Sequence, residues 1–570
     1  MNSILFLIMR RMRQPLLTLL IVYAISVLGM TLIPGEDADG KLWYMDLFHA
    51  FYFVSYMSTT IGFGEIPYAF TDAQRLWVTF SLYLTVIGWL YAIGTILTLL
   101  QDQLFQKAIA ETMFSRRVRR MREPFFLVCG YGETGQALVR SFTGHGQHVV
   151  VLDSNENKIN QIQLQNLPDY VPALAENART PAILKAAGLP QDCCRAVLAV
   201  TDDNDTNLKI SITSKLLHPE INVIARADAK ETEANMASFG TDHIVDPFDT
   251  FSQYLGKALR APCIYLLSRW LGGEERAILE EPLYPPRDGR WVICSYGRFG
   301  KAVAERFERE GMETMVIEAH PDMTGEPPGN YIHGVGTEAE TLIEAGILDA
   351  VGVVAGTDND TNNLSIVMTA RELRPDIFVI LRQNNSFNGE LIDAVEADMV
   401  MHPSAIVAER IRILAVFPML AEFFLIAGQK DNAWGCELVS RLSGMVSNHV
   451  PVVKELVLEE ERAPALLQVF AEREQVTLGD LLRDPWDRDR LLPCMVLMIY
   501  RGGERILMPD PEFAVSRGDR LLVSGAGSGI SRLKWNLAHN AALDYVRSGN
   551  ARPQGWLWRK LRDSGHRSGR

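Results

Sequence analysis

The sequence predicts a multidomain chain: an α-helical segment of two membrane spans, then two α/β Rossmann-like units, then a small α+β lobe. Three observations carry this prediction. Two long uncharged apolar stretches lie within the first hundred residues, a strand–glycine-turn–helix pattern begins at Phe125 and again at Trp291, and short apolar runs near the end are separated by Gly-Gly and Pro-Asp turns. A chain of 570 residues has room for several domains. Its 48% hydrophobic and 22% charged residues match an ordinary globular mixture, but the average conceals an apolar N-terminal part and a soluble-type remainder. The net charge of -13 gives no basic footprint for nucleic acid. Seven cysteines without regular spacing predict reduced thiols and not a disulfide scaffold, and adjacent Cys193 and Cys194 have no CxxC partner for zinc.

The first span, Pro15 to Ile33, carries no charge and has the length of a hydrocarbon core. Arg10, Arg11 and Arg13 precede it, and no small-residue cleavage site of a signal peptide follows. The second span runs from Leu76 to Leu100, with Arg116, Arg117, Arg119, Arg120 and Arg122 beyond it. Positive charge on the outer ends of both spans places both termini on the cytoplasmic side. The aromatic segment from Tyr44 to Thr60 is too short to cross twice and suits a re-entrant helix. It leads into Ser58–Glu65, STTIGFGE, where glycine favours irregular backbone. At membrane depth such backbone is tolerated only when buried in protein or lining a pathway. Around a four-fold axis, Thr60, Ile61, Gly62, Phe63 and Gly64 form rings of oxygen that replace the water shell of a bare cation.

TIGFGE resembles the T-V-G-Y-G-D filter of potassium channels, with Ile61, Phe63 and Glu65 as substitutions. Ile61 keeps the β-branched shape, Phe63 loses a bracing hydroxyl, and Glu65 keeps negative charge at the outer mouth. In the second span, Gly88 and Gly94 read either as close packing or as hinges. The resemblance to two-span channels favours Gly88 as the hinge, and Ile93 and Leu97 share a helical face that closes a tetrameric pore by dewetting.

Phe125 opens FFLVCGYGETG and Trp291 opens WVICSYGRFG. The first reads Gly130-x-Gly132-x-x-Gly135, the second Ser295-x-Gly297-x-x-Gly300, and each second β-run ends in an acid 18 residues after the last glycine, Asp153 or Glu318. Strand, turn, helix, strand and acid in this order form the dinucleotide fingerprint: backbone N–H groups meet a pyrophosphate and the acid holds ribose hydroxyls. Further matches, VTDDNDTNLKISI with GTDNDTNNLSIVM and HPEINVIARADA with RPDIFVILRQNN, make the repeat a whole domain. The tandem resembles RCK domains, the regulatory modules of ligand-gated potassium channels. Glu133 lies in the first glycine turn, where a carboxylate disfavours a terminal phosphate and points to a diphosphate or dinucleotide. In the second turn Ser295 departs from the fingerprint and Arg298 offers a phosphate partner. The resemblance implies that Thr134, Ser154, Glu176, Thr201, Asp202 and Arg226 complete the first pocket, and Phe299, Thr357 and Asp358 the second. It also suggests calcium. Asp202, Asp203 and Asp205 read either as its ligands or as a helix cap, and Arg226 and Arg382 stand where calcium-gated relatives carry acids.

The expected division is a pore domain over 1–104, a linker over 105–123, a first RCK domain over 124–285, the second RCK N-lobe over 286–430 and its C-lobe over 431–535, then a basic tail over 536–570 that reads as disordered or as a contact for acidic lipid. Phe248 to Leu279 is the crossover helix of a domain-swapped pair by the same resemblance. It implies a homotetramer in the bacterial inner membrane, with eight RCK units in a cytoplasmic gating ring that binds NAD or ADP, pulls on the second span through Lys107–Arg122, and performs no catalysis. The alternatives are an NAD-linked membrane oxidoreductase and an RCK-regulated potassium transporter subunit. No His, Lys or Tyr is visibly placed for the first, and the second requires four pore repeats where one filter segment is present.

Overall fold

The computed structural model describes residues 2–273 and 278–549. It divides into two compact units, one of Met1–Arg122 with Ala186–Gly188 and the other of Glu123–Lys185 with Leu189–Arg570.

The first unit is built on α1 (Asn2–Leu32), α2 (Leu47–Ser58), α3 (Asp72–Gln101) and α4 (Gln103–Val118). Met9–Leu32 and Asp72–Gln101 are long and apolar enough to cross a membrane. Asp46 accepts the His49 N–H at 2.7 Å and starts α2, while Thr71 and Gln74 form a capping box for α3. The two long helices pack through small residues. At Gly29 a side chain would meet the Trp77 ring at 2.0 Å, and the Trp77 indole donates to the Ser26 carbonyl at 3.2 Å. Val27 and Met30 join Phe53, Val54 and Met57 of α2 in the buried core of this unit. Much of the segment expected as a linker is helical: Asp102 ends α3 and at once caps α4 through Leu104 and Phe105.

The second unit holds two parallel sheets of the same topology. The first contains β1 (Phe125–Cys129), β2 (His148–Asp153), β3 (Ala173–Ala175), β4 (Cys194–Ala199), β5 (Asn222–Arg226) and β6 (His243–Val245) in the order β3-β2-β1-β4-β5-β6. The second contains β7 (Arg290–Cys294), β8 (Glu313–Glu318), β9 (Tyr331–His333), β10 (Gly352–Ala355), β11 (Phe378–Arg382) and β12 (Met399–Met401), ordered β9-β8-β7-β10-β11-β12. Helices cover both faces of such sheets, so the central strands read as unbroken apolar runs.

The two sheets exchange helices. Phe248, Phe251, Leu255 and Leu259, on the helix that follows the first sheet, are buried with Trp291, Phe299 and Phe307 of the second. Val407, Ala408 and Ile411, on the helix that follows the second sheet, are buried with Phe126, Leu138 and Phe142 of the first. Each half therefore completes the other's core within one chain.

The next helices correct the cysteine expectation. Cys263 on Pro262–Gly272 and Cys436 on Asn432–Ser443 form a disulfide with Cα atoms 5.0 Å apart. Gly435 lets the helices meet this closely, since a side chain there would come within 3.1 Å of the Ile264 backbone nitrogen. The partners are 173 residues apart in sequence, so spacing could not reveal them.

The last lobe is an antiparallel sheet of β13 (Val452–Val457), β14 (Cys494–Arg501), β15 (Glu504–Leu507) and β16 (Arg520–Gly525), ordered β13-β16-β14-β15. It does not end at 535. Helices Gly527–Ala538 and Asn540–Ser548 close it, and Leu533, Leu537, Leu543 and Val546 are buried in its core, so the amphipathic start of the expected tail is structural. The remaining tail, 550–570, lies outside the described residues.

Candidate functional sites

The first site is the segment after α2. Thr60, Gly62 and Gly64 have φ of 60°, 63° and 75°, alternating with residues of negative φ. This is the twist expected of a backbone that turns successive carbonyls the same way. Two bonds hold its C-terminal end: Tyr56 donates from its hydroxyl to the Glu65 carbonyl at 2.9 Å, and Tyr52 to the Glu65 carboxylate at 3.0 Å. Tyr56 also stacks edge-on against Phe63. The bracing that Phe63 lacks thus comes from two tyrosines one helical turn apart on α2, a signal present in the sequence and not used. Ile61 and Phe63 are 61% and 63% exposed in a single chain. Gly88 is buried beside Leu19 and Val22 of α1, in ordinary contact, whereas Gly94 has open space; Ile93 and Leu97 are exposed.

The other sites are the two glycine turns. Gly130 has φ 108°, and a side chain there would meet the Thr201 nitrogen at 2.9 Å. Ser295 takes the same path at φ 88°, so the second turn keeps its shape despite the substitution, at a cost of about 1 kcal/mol. Gly135 and Gly300 are required by packing: an added Cβ would lie 2.0 Å from the Gly130 oxygen and 1.9 Å from the Ser295 oxygen. Gly132 and Gly297 differ. Their φ values of -75° and -68° suit any residue, and an added Cβ finds no neighbour closer than 3.4 Å. Here the missing side chain leaves open the N-terminus of a helix, where a phosphate fits.

The paired acids brace these turns. Asp153 is buried and accepts the Tyr131 N–H at 2.6 Å and the Asn155 N–H at 2.7 Å. Glu318 accepts the Tyr296 N–H and, at 2.7 Å, the His320 N–H. Each carboxylate retains acceptor sites for sugar hydroxyls. The TDDNDTN and TDNDTNN motifs have a structural role that the sequence reading missed. Buried Asn207 accepts from the Thr201 N–H and donates to the Arg226 carbonyl, tying β4 to β5, and Asn363 does the same with Thr357 and Arg382. Their equal offset in both repeats was the available signal.

Several candidate residues lie elsewhere than expected. Phe299 is wholly buried in the core, so its ring is not a pocket wall. Ser154 is exposed and Glu176 half-buried at the ends of β2 and β3, and the Thr134 hydroxyl is buried with no partner among the described residues. Glu133 does not face its own turn: it accepts from the N–H of Ser386 at 3.1 Å and from the Ser386 hydroxyl, with His402 at 3.7 Å. Asp202, Asp203 and Asp205 do not converge. Asp203 caps a helix by accepting the Thr206 N–H at 3.0 Å, Asp202 pairs with Arg226 at 3.2 Å, and Asp205 is exposed on the first turn of the capped helix. Among the described residues no three carboxylate, histidine or cysteine side chains are grouped to hold a metal.

A cavity of about 520 Å³ opens at the second turn, lined by Gly297, Arg298, Lys301, Glu318, His320, Thr357, Asp358 and Arg382 among others. A cleft of about 380 Å³ lies between the two Rossmann units, with Glu133, Asp202, Arg226, Asp228, Phe248, Arg298 and Arg382 in its walls. The cleft arginines sit in opposite circumstances. Arg226 is forked onto Asp228 at 2.9 and 3.0 Å. Burial works against both charges, but Asp228 lifts Arg226 above the usual arginine value, whereas Arg298 helps burial to push Arg382 below it.

Residues 126–247 and 291–403 each match the model of the TrkA-N domain. Potassium channel proteins are among its relatives. It is 25% identical over 250 residues to probable potassium channel protein 2 of Methanocaldococcus jannaschii, covering 43% of this chain and 65% of that one. It is 26% identical over 231 residues to the voltage-gated potassium channel Kch of Escherichia coli, covering 40% and 50%. The chain spans 50% to 66% of the length of these channel relatives, and 35% of the length of a further relative from Methanothermus fervidus. The GsuK channel bound to NAD aligns over 94% of this chain and 100% of its own at 17% identity, with a TM-score of 0.46. The resemblance to potassium channels with RCK-type domains, read from the sequence, is borne out by the matched domains and the sequence relatives.

Proposed function

We propose that the chain forms a homotetrameric, potassium-selective channel whose two Rossmann units bind an adenine nucleotide, NAD or ADP, and gate the pore. The observation that carries the pore reading is the alternation of positive φ at Thr60, Gly62 and Gly64, in a segment set between two helices fit to cross a membrane. In a tetramer the exposed Ile61 and Phe63 gain neighbours, and main-chain oxygens take the place of water around the ion. The open helix ends at Gly132 and Gly297 favour a pyrophosphate, and Asp153 and Glu318 hold the sugar. The nucleotide acts through its differential affinity for two arrangements of the ring and undergoes no chemistry. The covalent link to the pore is α4.

Reconstituted chain should carry potassium into liposomes far faster than sodium, with block by barium and loss of flux in Gly62→Asp. Equal passage of the two ions, or unchanged flux in the variant, overturns the pore reading. A long flexible insert after Val118 should leave conduction and abolish nucleotide control.

A further inference from the structure

Among the described residues, the arginines of the second cavity and of the adjoining cleft are unequal in one respect: Arg226 and Arg298 have carboxylate partners and Arg382 has none. Arg226 has Asp228 and Asp202, Glu133 has Ser386, and Arg298 donates to the Asp228 carbonyl at 3.1 Å with the Asp228 carboxylate 3.6 Å away. Arg382 stands at the position of Arg226 in the second repeat, but Asn384 replaces the acid that Asp228 supplies in the first. Asn384 spends its side chain on Asp360 and the Thr357 carbonyl. Among the described residues no carboxylate comes within ion-pairing distance of Arg382, and its Nε is buried without a hydrogen-bond partner.

Its position is nonetheless well defined. The Arg382 guanidinium lies 5.2 Å from the centre of the Phe248 ring, and the Arg298 guanidinium lies 5.1 Å from the same ring. Both arginines line the nucleotide cavity and the cleft beside it. Two like charges on one aromatic plane, one of them unpaired and partly buried, form an arrangement that an anion completes. Asp358 and Glu318 oppose an anion in the cavity, and Lys301 favours one. Glu318 already accepts two backbone N–H groups, so three cations face two carboxylates, one of them engaged.

We infer that Arg382 is the specificity-determining residue of the second cavity: with Arg298 it takes the terminal phosphate of a nucleoside polyphosphate, so this unit selects tri- and diphosphates over monophosphates. The inference rests on the nucleotide-binding reading above and adds to it which end of the ligand is read. Capture of the phosphate draws Arg298 away from Asp228 of the first unit, which gives the ligand a direct hold on the contact between the two units.

The test is equilibrium titration of the full-length chain in detergent with AMP, ADP and ATP, counting as second-cavity binding the part removed by Gly297→Trp. In the native chain ATP should bind at least about tenfold more tightly than AMP. Arg382→Gln should erase that preference while AMP affinity stays within about twofold, and Arg382→Lys should restore part of it. Equal loss of AMP and ATP affinity, or an unchanged preference, overturns the inference while leaving nucleotide binding in place. Absence of any binding sensitive to Gly297→Trp overturns the underlying reading as well. Should Arg382→Gln fail to fold, inorganic tripolyphosphate decides: it should displace ATP from the native second cavity, and failure to do so overturns the inference.

Discussion

The two Rossmann units share strand order, glycine turn, bracing acid and the asparagine tie, yet they treat charge in opposite ways. In the first, the residue after the middle glycine is Glu133, which reaches into the second unit and binds Ser386. In the second it is Arg298, which reaches back to Asp228 of the first. The arginine at the end of the fifth strand is neutralised in the first unit and, among the described residues, left unpaired in the second. Duplication has kept what the backbone needs and changed what a ligand or a neighbour meets. Only the first unit keeps all three glycines of the fingerprint. Ser295 at φ 88° nonetheless lets the second turn follow the same path.

This contrast can be broken most forcefully where the units are alike. Gly135→Ala and Gly300→Ala should each cost more than about 3 kcal/mol, because the new methyl meets a carbonyl oxygen at 2.0 or 1.9 Å. Thermal unfolding of the purified variants checks this, and a small effect in either would show that the shared turn is not essential. A step smaller, Asp228→Asn should cost about 2 kcal/mol by leaving a partly buried Arg226 without its forked partner. The reverse exchange, Asn384→Asp, should neutralise Arg382 and weaken ATP binding, and denaturant titration with nucleotide titration separates the two results.

The exchanged helices differ as well. On the helix that follows the first sheet, burial, followed by Arg410 and Arg260, pushes Lys257 down to about 8. Between that value and its unfolded value the unfolded chain holds the extra proton, so Lys257 makes stability rise as pH climbs through the window and lowers it below pH 8. Lys257→Met should flatten the rise and stabilise the neutral protein by on the order of 2 kcal/mol. Unfolding midpoints between neutral and alkaline pH measure it. Smallest of all, Ser295→Gly should add about 1 kcal/mol by relieving its positive φ. Gly130→Ser should destabilise more than this, because the side chain meets the Thr201 backbone.

Much of the architecture was legible because it rests on local rules. Uncharged runs long enough for a bilayer, glycines spaced for alternating φ, and apolar strands ahead of glycine turns all announce themselves within a few tens of residues. The residues misjudged were those whose neighbours are distant in the chain. Phe299 looked like part of a loop motif and is core, because Phe248 and Phe251 arrive from the helix of the other unit. Asp203, open in the sequence between metal ligand and helix cap, is the cap, and there the deciding bond is a local one to Thr206. The start of the expected tail looked free and is held by Leu543 and Val546 in the last lobe.

By itself the sequence determined the class of each element: two helices fit for a membrane, a filter-like turn between them, and a duplicated nucleotide fold. These follow from periodicity, length and the dihedral demands of glycine, which act on near neighbours. The tertiary structure alone decided the exchange of helices between the halves, the pairing of Cys263 with Cys436, and the Arg382 guanidinium left without an ion-pair partner among the described residues. Each depends on which groups meet across long loops, and burial and electrostatic partnership are properties of that meeting.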